Sequence, residues 1–261
     1  MKELMLIVVF PFCFFLVGCD VGSNIDESST SGSSSVLAGN TELLGIYRGN
    51  LNGSQSVIGL VDKNNKFRFL YSVPGQKNTE GLITGIFNMS GNTIRSLKGR
   101  NYNFGGTVSY NTLIKGTVDT KKSLKGTVNY PLFNQAVFVI AYDDVESQNI
   151  SKLTKIVGSY TGKSISVHES KYVNLTISRS GLLSGKDQNG CAFAGMLTPE
   201  PYSPYYNVKW YFDNTLCNAV EKQVNGIAYS DSKERILYVI VEDTSQENTV
   251  VFLGSKTGIQ I

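Results

Sequence analysis

The sequence predicts an all-β fold: two similar antiparallel barrel- or sandwich-like lobes that follow a signal peptide and a flexible tether. Three features point there. Apolar and polar residues alternate with period two in both halves, turn-forming clusters separate the alternating runs, and a Gly-x-Tyr-x-Gly motif at Gly45–Gly49 returns at Gly158–Gly162. A strand turns successive side chains to opposite faces, so this alternation is what half-buried strands require. With 261 residues, 17 % of them charged, and a net charge of +3, the chain is long enough for two cores. It is too weakly charged for a dedicated nucleic-acid binder.

The leader comes first. Residues 1–19 read MKELMLIVVFPFCFFLVGC, with Lys2 as a charged start and Leu4–Val17 as an almost unbroken apolar run. The run is shorter than the ~20 residues of a comfortable transmembrane helix. It stops at Leu16-Val17-Gly18-Cys19, which resembles the lipobox of bacterial lipoproteins. The resemblance implies a signal peptide over residues 1–18, a diacylglyceryl group on the Cys19 thiol and a further acyl chain, such as palmitate, on the new amine. Two or more chains anchor a protein stably where one holds it only marginally. The expected location is therefore the bacterial cell envelope, lipid-anchored and facing the periplasm or cell surface. An ordinary cleaved secretory signal and an uncleaved anchor are the alternatives. Asp20 resembles an inner-membrane retention signal and Val21 does not reinforce it, so both membranes stay open.

Residues 19–40 hold the lipidated cysteine and a Ser/Gly-rich stretch without apolar periodicity, which reads as a disordered tether. The first β lobe is expected over 41–146 and the second over 147–261. Each Gly-x-Tyr-x-Gly motif follows an apolar pair, Leu43-Leu44 or Ile156-Val157, and each half closes on a similar strand, Ala136–Tyr142 or Thr249–Leu253. A period of this length suits a duplicated domain and is too long for a solenoid repeat. In the first lobe Phe67, Phe69 and Tyr71 alternate with Lys66, Arg68 and Leu70, which assigns the first set to a core and the second to water. Leu113–Val118 and Ser123–Val128 form a hairpin around Asp119–Lys122. Asp144–Ile156 is the best short helical candidate and links the lobes. In the second lobe Val173, Leu175 and Ile177, then Val208, Trp210 and Phe212, mark further strands. Some eight short strands per lobe favour a small up-and-down barrel. The Gly-x-Tyr opening resembles the Gly-x-Trp opening of lipocalins, and two lobes on a lipid tether resemble surface-lipoprotein barrels. That likeness implies a barrel and no particular ligand.

With Cys19 lipidated, Cys191 and Cys217 remain in the mature chain. An exported pair reads as a disulfide; a reactive thiol or a metal pair is the alternative.

Little catalytic chemistry is legible. Gly158–Ser164 looks like a phosphate loop but has three residues between its glycines instead of four and leads into no helical pattern. His168 is the chain's single histidine, with no serine elbow to partner it, and it makes a His-rich metal site untenable. Asp143-Asp144 and Glu242-Asp243 end strands, where acidic turn residues are common. No cofactor, no metal and no enzymatic activity are expected.

Two features suggest contact surfaces. Residues 41–146 carry 12 Lys/Arg against 7 Asp/Glu, while 147–261 carry 11 against 10. The excess gathers at Arg95, Lys98, Arg100, Lys115, Lys121, Lys122 and Lys125. It is either a patch for an anionic surface or acidic partner, or a set of solvated edge-strand lysines that block sheet-to-sheet association. The second feature is Pro199–Tyr206, whose prolines stiffen a loop bearing Tyr202, Tyr205 and Tyr206. Those rings either offer a protein interface or pack back over the barrel end. The expected function is a membrane-anchored, non-catalytic binding or interaction module. An envelope-side immunity or inhibitor protein acting on a secreted toxin or hydrolase is the alternative, and a barrel for a small apolar ligand or lipid is the third reading.

Overall fold

Each half of the chain closes into an eight-stranded antiparallel barrel. The computed structural model describes residues 41–131, 135–213, 217 and 222–257. The leader, Cys19 and the tether lie outside the described residues. The first half contributes β1 (Gly45–Leu51), β2 (Gln55–Val61), β3 (Lys66–Ser72), β4 (Thr79–Ile86), β5 (Asn88–Ser90), β6 (Thr93–Asn103), β7 (Val108–Asp119), β8 (Ser123–Asn129) and β9 (Ala136–Tyr142). The ring runs β1-β2-β3-β4-β6-β7-β8-β9 and shuts where β9 pairs with β1; β5 is a short extension paired with the start of β6. The second half adds β10 (Gly158–Ile165), β11 (Ser170–Ile177), β12 (Leu182–Asp187), β13 (Ala192–Pro199), β14 (Tyr205–Phe212), β15 (Gln223–Asp231), β16 (Ile236–Glu242) and β17 (Thr249–Thr257). These follow one another around the ring, and β17 pairs back onto β10.

The expected β7–β8 hairpin forms, with Asp119 opposite Ser123. The linker makes two single helical turns, α1 (Asp144–Ser147) and α2 (Leu153–Ile156), separated by extended chain. Asp143 caps α1 by accepting a hydrogen bond from the Glu146 N–H.

Each barrel is filled from its inward-facing set. In the first, Phe67 stacks on Phe87 at 4.2 Å and Phe69 lies 5.7 Å from Phe138. In the second, Phe193 stacks on Trp210 at 4.4 Å above Val173, Leu175, Val208 and Val239. The alternation therefore sorts the interior side chains as expected.

It does not sort the other face. Arg68 and Leu70 were expected in water and are instead buried, 5 % and 6 % exposed. The reason is a third core lying between the barrels, where Ile46, Leu60, Leu70, Leu82 and Tyr102 of the first meet Tyr205, Ile227, Tyr229, Tyr238 and Ile240 of the second. β3 and β16 are consequently buried on both faces along almost their whole length. Apolar surface too extensive for one barrel's exterior is thus removed from water by the other, and the described residues of the two barrels form one compact unit.

Charge follows the same seam. Arg48 of β1 donates to Asp231 at 2.6 Å and to Asp143 at 2.8 Å. Lys63 reaches Glu200 at 2.7 Å and Lys66 reaches Glu242 at 2.6 Å. Arg68 lies 3.2 Å from Asp62 and 3.3 Å from Glu242, the latter close enough for ionic attraction but out of line for a hydrogen bond. Part of the first lobe's positive excess therefore faces acids of the second lobe.

Candidate functional site: the mouth of the second barrel

The two ends of the second barrel differ. At one end α2 acts as a plug. Ile156 is fully buried, the Tyr160 hydroxyl donates to its carbonyl at 2.8 Å, and the Tyr206 hydroxyl both accepts from Lys152 N–H and donates to Lys152 C=O. Burial raises the Tyr160 hydroxyl to about 12, so it stays a donor. At the other end, between the 166–169, 187–191 and 243–248 turns, the barrel opens into a cavity of about 180 Å³.

Inward positions of five strands make its wall: Val173, Phe193, Trp210, Val224 and Val241. The Cys191–Cys217 disulfide forms as expected, with Cα atoms 4.8 Å apart, and it lines the same cavity. It ties the start of β13 to the chain that follows β14, holding that side of the mouth in place.

The rim is polar but internally satisfied. Lys171 sits between Glu169 at 2.7 Å and Asp187 at 3.4 Å. Burial works against its charge, yet the two carboxylates outweigh burial and hold the ammonium above its ordinary pKa. Asp187 also accepts from the N–H groups of Asn189 and Cys191, and Asp243 accepts from Glu247 N–H and the Asn248 amide. One group is left over. Trp210 is 2 % exposed, and among the described residues its indole N–H has no hydrogen-bond partner. An unmet buried donor costs about 1–3 kcal/mol, so such groups call for an explanation.

The mouth of the first barrel is a more open and more polar recess of about 280 Å³, lined by Gln55, Tyr71, Glu80, Asn101, Tyr110 and Tyr130. Tyr71 donates to Asn101 at 3.0 Å, Gln55 donates to Glu80 at 2.8 Å, and Tyr130 packs over the core. Four phenylalanines fill the interior beneath them.

No protein-family model matches the sequence, and no curated protein matches it. Among solved structures, the chain is similar to the isotype 1 transferrin binding protein B from serogroup B Neisseria meningitidis, with a TM-score of 0.31 and 7 % identity over 79 % of this chain and 66 % of that one. A protein of unknown function from the DUF3598 family of Nostoc punctiforme gives 0.31 and 9 % over 83 % and 97 %. Intact Ap-TbpB (N and C lobes) gives 0.28 and 9 % over 77 % and 66 %. The chain thus spans just under two thirds of the length of both transferrin binding protein B structures. Similarity at this level identifies no ligand.

The remaining expected sites are scattered. Tyr202 is 88 % exposed at the tip of its loop, with a positive φ of 55°. Tyr205 and Tyr206 are not available for an external contact, which corrects the reading of all three as an interface. Tyr205 packs between the barrels with its hydroxyl accepting from Lys63 N–H, and Tyr206 lies inside the second barrel. The rings belong to a strand, β14, and so point alternately into those two cores. Lys115, Lys121, Lys122 and Lys125 are all exposed on β7, β8 and their connecting turn. Gly158–Ser164 lies within β10 and leads into no helix. His168 sits exposed on the cavity rim, its backbone N–H donating to the Ser166 hydroxyl. Asp143 and Glu242 are taken up by the cations between the lobes. Among the described residues no cluster of three metal-ligating side chains occurs.

The cavity itself escaped sequence reading. Its signal was present: the chain's single tryptophan lies on an inward position of a strand flanked by its two pairing cysteines.

Proposed function

We propose that this is a lipid-anchored, non-catalytic binding protein of the bacterial envelope whose site is the mouth of the second barrel. Its ligand is a small, mostly apolar molecule that carries one hydrogen-bond acceptor. The observation behind this reading is that Trp210, whose buried indole N–H has no partner among the described residues, stands in the wall of an apolar cavity. Apolar cavities of about 150 Å³ take up benzene. A volume near 180 Å³ therefore suits one substituted ring or a short acyl segment.

The single tryptophan makes the test direct, because the protein has one indole N–H resonance. Titration with acetophenone should shift that resonance downfield and saturate. Isopropylbenzene, of the same shape without the carbonyl, should bind roughly tenfold or more weakly. Equal binding of the two, or no saturable shift with either, overturns the ligand reading. The anchor is tested separately: mass spectrometry of the native protein should find the leader absent and Cys19 acylated, and a bare thiol with the leader retained refutes it.

A second reading is favoured by Tyr202. An exposed aromatic between Pro201 and Pro204 presents contact area that loses little entropy on binding, as protein interfaces prefer. In that case the loop grips a secreted toxin or hydrolase, and Tyr202→Ala abolishes capture of that protein while leaving the acetophenone shift intact.

A further inference from the structure

The outer face of β6–β9 carries a surface that the second-barrel cavity does not use. Registers across these strands place Arg95 opposite Lys115, Lys115 opposite Thr127, and Thr127 opposite Val137. In the adjoining row Thr117 stands opposite Lys125, and Lys125 opposite Val139. Residues directly opposed on antiparallel strands share a face. Arg95, Lys115 and Lys125 therefore form one cationic array. Leu113, Val137 and Val139, each between 46 % and 49 % exposed, lie on the same face.

Two features of this array call for a partner. The Arg95–Lys115 pair sets like charges directly across from each other, an unfavourable arrangement, and among the described residues no carboxylate pairs with Arg95, Lys115 or Lys125. At the seam between the barrels, by contrast, Arg48, Lys63, Lys66 and Arg68 all have acids. Nor do these lysines guard a sheet edge, as one sequence reading had it: β6, β7 and β8 are interior strands of a closed ring, which has no edge there.

We propose that this face docks on an anionic phospholipid surface. Cations interspersed with half-exposed aliphatic side chains match a charged headgroup layer with hydrocarbon beneath it. The chain outside the described residues agrees with this occupant. A flexible tether of the length of residues 20–40 has an end-to-end distance of about 25 Å. It joins the first barrel and not the second, so an anchor at Cys19 holds this lobe within reach of the bilayer.

The test uses residues 20–261, which contain both barrels and all their mutual contacts and so carry the whole described fold. Lacking the anchor, this protein reports on the face alone, and its outcome is independent of acylation and of the cavity ligand. It should co-sediment with phosphatidylcholine vesicles containing phosphatidylglycerol, less as salt rises, and not with phosphatidylcholine alone. The variant R95Q/K115Q/K125Q should lose roughly a hundredfold in affinity. A charge-matched variant on the second barrel, R179Q/K186Q/K209Q, should keep it, and L113S/V139S should weaken it without changing net charge. Absence of binding to anionic vesicles, or equal losses in the two charge variants, overturns the proposal. So does binding to soluble polyglutamate without binding to vesicles, which assigns the face to an acidic protein.

Discussion

Tyr47 and Tyr160 occupy equivalent places in the two barrels. Each hydroxyl donates to the carbonyl oxygen four residues upstream, Leu43 at 2.9 Å and Ile156 at 2.8 Å. Each carbonyl belongs to a single helical turn whose last residue is fully buried. The Gly-x-Tyr-x-Gly motif is thus a device for entering a barrel: the first glycine, at φ 153° or 136°, lets the chain turn from plug to strand, and the tyrosine ties the plug down.

Removing either hydroxyl should therefore have a small and similar effect. Tyr47→Phe and Tyr160→Phe are each expected to lower stability by about 1 kcal/mol, since one buried hydrogen bond is lost and the ring's packing is kept. Chemical denaturation of the two variants checks this, and a large difference between them would show the two plugs to be unequal.

The motif's last glycine has a separate role. Gly49 and Gly162 sit on the strand pairs that shut the two rings. A Cβ there would come within 2.1 Å of Val139 O and 2.0 Å of Leu253 O. Gly49→Ala and Gly162→Ala should each cost on the order of 1–3 kcal/mol, more than the tyrosine changes, because the contact is with backbone that cannot swing aside. Hydrogen exchange should show the loss of protection concentrated on β1–β9 in one variant and β10–β17 in the other.

The seam between the barrels makes stability acid-sensitive. Burial alone would raise the Asp143 carboxyl, but hydrogen bonds from Lys233 and Arg48 outweigh it and hold the group below its ordinary pKa. Glu200 behaves alike, with Lys63 and Asn207 outweighing burial. A folded pKa below the unfolded one adds stability that is complete above the ordinary carboxylate range, about 4, and fades as pH falls through the folded value. Melting temperature should fall below about pH 4, and the double variant D143N/E200Q should show a lower but flatter acid limb. Arg48→Met should be more severe at neutral pH, by about 3–5 kcal/mol, since it strands the wholly buried Asp231 carboxylate.

Strand positions, the hairpin at Asp119–Lys122 and the disulfide were legible because alternation, turn residues and paired cysteines are local signals. The second burial of Arg68 and Leu70 was not, since a strand's own pattern cannot say what will cover its outer face. A hint lay in β16, Ile236–Glu242, whose nearly continuous apolar run marks a strand buried on both sides. Tyr205 and Tyr206 misled for a related reason: the loop's prolines suggested exposure, yet both rings already stand on the first residues of β14. Trp210 was read as a core residue, which it is. What sequence could not reveal is that its N–H finds no partner among the described residues, because that depends on which strands come round to face it.

The disulfide offers a last test of the cavity. It closes a loop with a sequence separation of 26 residues, for which the chain-entropy account gives roughly 3.5 kcal/mol of stabilisation. It also contributes to the cavity wall beside Trp210 and Phe193. If its role were stability alone, C191A/C217A would melt earlier but take up acetophenone unchanged at temperatures where it remains folded. Because the bridge pins one side of the mouth, its loss should also weaken acetophenone binding severalfold and broaden the indole N–H resonance as the wall moves. Trp210→Phe separates the two contributions. It keeps an aromatic ring and the bridge, removes the donor and enlarges the cavity alike for both ligands, so calorimetry should find acetophenone and isopropylbenzene bound with nearly equal affinity.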